Sequence, residues 1–247
     1  MTDHIKNGGY WIMEQQTNPV MEGNTPPSPK PSLFGMIMNP GEQFDRIRQN
    51  PKVLVGILLV TLMLIVGSVL SFIHGAGLTG DLSSDLGVSK AEAAMFSTIM
   101  GVAGVVVGGI GSVIVLLIMA AITLAITKMV GSAVKFKQIF SMTIYISFVT
   151  SIGTLLNGLI AFLVKEENYV NPYTSLNSIA GAEGGLGGLL MTIEVFTIWG
   201  LILTAMGLQR VAGLSKAASW TISIIFFAVG VILAVAGGVL GEAFPAV

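Results

Sequence analysis

Val53-Leu54-Val55-Gly56-Ile57-Leu58-Leu59-Val60-Thr61-Leu62-Met63-Leu64-Ile65-Val66-Gly67-Ser68-Val69-Leu70-Ser71-Phe72-Ile73 contains no charged residue, and its reading decides the fold. As a helix rising 1.5 Å per residue it would be about 31 Å long, the thickness of a bilayer's hydrocarbon layer. Immediately before it stands Asn39-Pro40-Gly41-Glu42-Gln43-Phe44-Asp45-Arg46-Ile47-Arg48-Gln49-Asn50-Pro51. A capping Asn, a Pro at the first helical position and a Glu at the third predict a short helix from 40 to about 50 that ends before Pro51. Phe44 and Ile47 share one face and Arg46 and Arg48 fill the rest, the pattern of a helix lying at the membrane surface.

Working outward, four more such stretches follow: Thr98–Thr127, Ile139–Leu163, Leu186–Gly207 and Ala217–Val239. Each exceeds the roughly 20 residues a span needs. The first of them would be about 45 Å long as a helix, so it must tilt, protrude or bend, and Gly101, Gly104, Gly108, Gly109 and Gly111 offer the place to bend. The expected fold is an all-α membrane protein of five transmembrane helices. Residues 1–31 form a flexible polar tail, 32–52 an interfacial amphipathic segment, and 53–240 the five-helix domain. Tyr10-Trp11-Ile12-Met13 is an apolar island in the tail.

Composition agrees. Of 247 residues 53% are hydrophobic and 10% charged, with a mean hydropathy of +0.84. Soluble domains carry about 25% charge, so a soluble enzyme of this length is excluded. The chain has no Cys, so thiolate chemistry and Cys-ligated zinc have no residues to use; its only histidines, His4 and His74, lie far apart and give no case for a His-rich metal site or a His-based triad. A net charge of −1 gives no case for nucleic acid. No nucleotide-binding or hydrolytic motif is present, and no cofactor is expected.

Charge also orients the spans. With the N-terminus inside, the inner segments hold Lys6, Lys30, Arg46, Arg48, Lys52, Lys128, Lys135, Lys137, Arg210 and Lys216, leaving Lys90 and Lys165 outside. The positive-inside rule therefore predicts a cytoplasmic N-terminus and an extracellular C-terminus. Lys128, Lys135, Lys137, Arg210 and Lys216 would fix this topology or bind anionic headgroups.

Glu194 is the one charged side chain within the five stretches. Buried ionisable groups in membranes face protein or a water-filled cavity. Two readings stand: a carboxyl serving as packing glue between helices, or a proton or cation relay. Thr143, Ser147, Thr150, Thr154 and Asn157 recur every three or four residues, one face of the third span, and matching depths sets Ser151 and Thr154 level with Glu194. This seam is expected to face the fourth span and satisfy Glu194. Gly104-x-x-x-Gly108 is a small-xxx-small pair, expected to pack helices inside the bundle or to join two copies. The glycines from Gly181 to Gly188 read as a flexible turn.

The layout resembles the Yip-domain family of five-span membrane proteins, in its bacterial, YknW-type branch. The resemblance rests on the lead-in Asn39–Arg48, on Phe136–Tyr145 opening the third span, and on Phe196–Leu201 and Gly207–Lys216 in the fourth span and following loop. The GTPase-associated Asp-Leu-Tyr-Gly-Pro-type motif of eukaryotic members is absent. For the bacterial branch the resemblance implies a non-enzymatic accessory protein of the cytoplasmic membrane. Its partner would be an ABC exporter permease or adaptor of the MacB-like, toxic-peptide-defence type. The residues themselves admit a second class, a small transporter or channel using Glu194 and the polar seam.

Overall fold

The computed structural model describes residues 29–75, 87–164 and 172–243. The tail with its Tyr10–Met13 island, and the charged residues Asp81, Asp85 and Lys165 to Glu167, lie outside the described residues.

Helix α1 (Gly35–Met38) is a single turn, and α2 (Pro40–Gln49) begins as its capping signals predict, the Asn39 side chain accepting a bond from the Glu42 amide. The apolar helices follow: α3 (Leu54–Gly75), α4 (Lys90–Met129) and α5 (Phe136–Val164). After the short α6 (Asn177–Ala180) come α7 (Gly184–Thr192), α8 (Val195–Arg210) and α9 (Lys216–Ala243). By length and composition α4, α5 and α9 can cross a membrane, and Leu54–Gly67 and Val195–Arg210 are shorter apolar helical stretches.

Two of the expected spans differ from their readings. The long second stretch is one helix of 40 residues from Lys90 to Met129, about 60 Å by helix rise. It starts well before the apolar run because Ser89 and Glu92 close a reciprocal capping box. Its charged first turns thus project past the apolar part. The fourth stretch is two helices rather than one, interrupted at Ile193–Glu194.

α5 is the central element. It packs against α3, α4 and α8, while α9 covers α7 and α8. The core gathers at the end where α2 crosses α5 and α8: Met36, Phe44, Ile47, Ile139, Ile144, Leu203 and Leu208 are fully buried there. The surface-helix expectation is corrected here. Phe44 and Ile47 are 0% exposed, so the apolar face of α2 is taken up by the protein and not by lipid. The Phe44 ring fits because position 207 is Gly: a Cβ there would stand 2.7 Å from the Met142 sulfur and 3.1 Å from Phe44 Cε1. Arg46 pairs with Glu42, and Arg48 Nη1 donates to the Arg210 carbonyl at 3.4 Å. Arg210 in turn pairs with Asp45 at 2.6 Å. Both side chains of that pair are about half exposed, so it contributes under about 1 kcal/mol. Buried apolar area holds α2 in place.

The glycines are likewise redistributed. No described atom lies within 4 Å of a Cβ built on Gly104, Gly108 or Gly111, whereas one on Gly109 meets Ile65. The Gly104/Gly108 pair therefore does not pack against the bundle among the described residues. Close packing occurs instead between α7 and α9. A Cβ on Gly188 would overlap the Ala234 carbonyl, and one on Gly238 would overlap the Gly184 carbonyl. Of the stretch expected to be a flexible turn, 181–183 is non-helical, with Gly181 in the left-handed region, but from Gly184 on it is a helix whose missing side chains let two backbones touch.

Candidate functional site

The break at Ile193–Glu194 creates the most polar constellation in the apolar part of the chain. Glu194 has extended backbone and caps α8: its Oε2 accepts from the Thr197 amide at 2.7 Å and from the Thr197 hydroxyl at 2.9 Å. A carboxyl at a helix N-terminus meets free amides and the positive end of the helix dipole, and both favour it there. On its other side a short antiparallel bridge joins Ser175 to Glu194, with Leu176 donating to the Ile193 carbonyl at 2.9 Å. That bridge takes up backbone groups that the break releases.

Thr174 links this cap to α5. Its hydroxyl donates to Glu194 Oε1 at 2.6 Å and accepts from Asn157 Nδ2 at 2.8 Å, while its amide donates to Asn157 Oδ1 at 3.1 Å. Asn157 Nδ2 also donates to the Gly153 carbonyl at 2.8 Å. The order is thus Gly153, Asn157, Thr174, Glu194, Thr197, with Glu194 only 8% exposed and Asn157 5%. Both carboxylate oxygens have donors.

The seam residues divide between two neighbours. Thr150 faces α8, its Cγ2 lying 3.0 Å from a Cβ built on Gly200, and a Cβ on Gly153 would strike the Phe196 ring at 2.6 Å. Ser151 and Thr154 turn toward α3. The Ser151 hydroxyl donates to the Phe148 carbonyl at 2.9 Å and lies 3.6 Å from the Met63 sulfur, and Thr154 Cγ2 is 3.2 Å from a Cβ built on Gly67. Asn157 reaches Glu194 through one intervening hydroxyl; Ser151 and Thr154 share only a cavity with it. That cavity measures about 520 Å³ and is lined by Ser112, Ser147, Thr150, Asn157, Glu194 and Thr197 among others. Among the described residues no group of three or more His, Asp or Glu side chains is placed to hold a metal ion.

Thr174 and Thr197 are the members that sequence reasoning misses. Thr197 carries a weak signal, three residues after a lone carboxyl, but Glu is not among the favoured N-caps and the surrounding run reads as unbroken helix. Thr174 sits in a loop far from the seam in sequence, and only the fold brings it in.

The site sets an expectation. Glu194→Ala would orphan the Thr197 and Thr174 donors and cost about 1–3 kcal/mol, seen as a lower unfolding temperature in detergent. Glu194→Gln retains an acceptor oxygen and an extra donor, and should cost less than half as much.

The Yip1 domain model matches residues 34–237. The chain is 36% identical over 221 residues to "Membrane protein YknW" of Bacillus subtilis (strain 168), an alignment covering 86% of this chain and 92% of that protein. No solved structure matches. From the lead-in helix through most of α9, this chain belongs to the Yip1-domain family of membrane proteins.

Proposed function

We propose that this protein is a non-enzymatic, five-span accessory protein of the bacterial cytoplasmic membrane. Its N-terminus is cytoplasmic, its C-terminus extracellular, and it serves an ABC exporter by helix–helix contact. One observation carries the reading. α4 presents Gly104, Gly108 and Gly111 on a single face with no described atom near them. Glycine weakens a helix by about 1 kcal/mol relative to alanine, and against lipid it gains nothing in return. Against a second helix it permits close backbone approach. The open face of α4 suits a partner. Five spans follow from counting the broken α7–α8 unit as one, together with α3, α4, α5 and α9.

The second reading, a small transporter or channel, is favoured by a different observation: the 520 Å³ cavity has a carboxyl and several hydroxyls on its wall. The two separate in one pair of assays. An accessory protein co-purifies with exporter subunits, and Glu194→Gln leaves that association intact while purified protein moves no ions in proteoliposomes. Cation or proton flux in proteoliposomes that Glu194→Gln abolishes would replace the first reading with the second.

A further inference from the structure

Three lysines from three distant parts of the chain meet at the α2 end of the bundle. Lys30 precedes α1, Lys52 lies between α2 and α3, and Lys137 is in the first turn of α5. All three line one pocket of about 680 Å³. Side-chain bonds to backbone hold these segments together. The Tyr145 hydroxyl donates to the Pro31 carbonyl at 3.0 Å, Ser141 to the Lys52 carbonyl at 2.7 Å, and Arg46 to the Lys30 carbonyl at 3.3 Å. No carboxylate lines the pocket, and among the described residues none of the three lysines is in an ion pair; the acidic side chains nearby, Glu42 and Asp45, are committed to Arg46 and Arg210. The rest of the wall is apolar and continues outward: Leu54 is 72% exposed, Val55 71% and Phe34 72%.

We infer that this pocket binds the phosphate headgroup of an anionic phospholipid in the leaflet that this end of the bundle faces. Three lysines lining one pocket, none of them in an ion pair among the described residues, supply the charge complement to a phosphodiester. The apolar face of α3 beside them supplies a track for an acyl chain. A soluble phosphate would use the lysines alone and leave that track bare, whereas a lipid uses both. Lysine stems suit the position, since they lie along apolar surface while the ammonium stays at the polar boundary.

The test uses the full-length protein in detergent, with native mass spectrometry of lipid adducts from equimolar phosphatidylglycerol and phosphatidylcholine. Wild type should retain phosphatidylglycerol in preference. Single changes Lys30→Gln, Lys52→Gln or Lys137→Gln should each lower that preference about fivefold, and the three together about a hundredfold. Arginine at the same three positions should preserve it. A matched triple change of Lys128, Lys135 and Lys216 to Gln should leave it intact, and glycerol phosphate should fail to displace the lipid. Equal retention of both lipids by wild type, or an unchanged preference in the Gln variants, would overturn the proposal. Equal loss in the matched control would show unspecific charge, and displacement by glycerol phosphate a soluble-anion site; either result also overturns it. If the triple variant does not fold, the single variants decide.

Discussion

Replacing Gly188 or Gly238 by alanine is expected to abolish the monodisperse, folded protein in detergent. In α7 and α9 the backbones approach so closely that each new methyl would overlap a carbonyl of the opposite helix. Backbone cannot give way as the tip of a side chain can, so the helices must separate along their shared length. Overpacking of a well-packed contact costs about 1–3 kcal/mol even where side chains can adjust, and a rigid backbone contact places this case at or above the upper end. The consequence reaches Glu194, because α7 enters the break that Glu194 caps. The internal control is the same substitution on α4. Gly104→Ala and Gly108→Ala meet no described neighbour and should leave the isolated protein intact, or stabilise it by about 1 kcal/mol through helix propensity. Size-exclusion profiles and unfolding temperatures of the four variants make the comparison directly. Equal tolerance at all four positions would contradict the helix contact described here.

Phe44→Ala is expected to give the second large effect. Phe44 is fully enclosed between α2, α5 and α8, beside Met142 and Gly207. Truncating a buried Phe costs about 3–5 kcal/mol through lost transfer energy and the cavity left behind. For a chain of this size that lowers the unfolding temperature by roughly 10 °C. A surface-lying α2 would give another result: its Phe would sit in lipid, and truncation would leave the bundle's unfolding temperature unchanged. Asp45→Asn, which breaks the half-exposed pair with Arg210, should shift the temperature far less than Phe44→Ala. A reversed order would mean that charge, and not burial, attaches α2.

The approximate places of the apolar helices are legible because their causes are local, although the second begins earlier, at Lys90, and the fourth is broken at Glu194. Uncharged runs long enough for a bilayer, a Pro40 start after Asn39, and charges gathered between the runs all act within a few residues. What stayed hidden depends on what lies opposite. The seam from Thr143 to Asn157 has helical spacing, yet spacing alone does not divide it between α8 and α3, and the division follows from Gly200 and Gly67 on the facing helices. Two glycine groups looked alike in sequence. Gly184 and Gly188 meet Ala234 and Gly238, whereas Gly104 and Gly108 meet no described atom, and no local property of either group distinguishes them. The amphipathic pattern of α2 reads the same whether its apolar face meets lipid or protein. Glu194 stood out by charge alone. Its role as a cap required the break in the helix, and the break is stabilised by Thr174, which is 20 residues away in the chain.

The accessory role rests on the open glycine face of α4. Site-specific photo-crosslinking from position 104 or 108 in intact cells addresses it most directly. A photoreactive side chain placed there should yield an adduct with an ABC exporter subunit, identified by mass spectrometry and lost when that exporter is deleted. Adducts confined to lipid, or to a second copy of this chain, would contradict the proposed role.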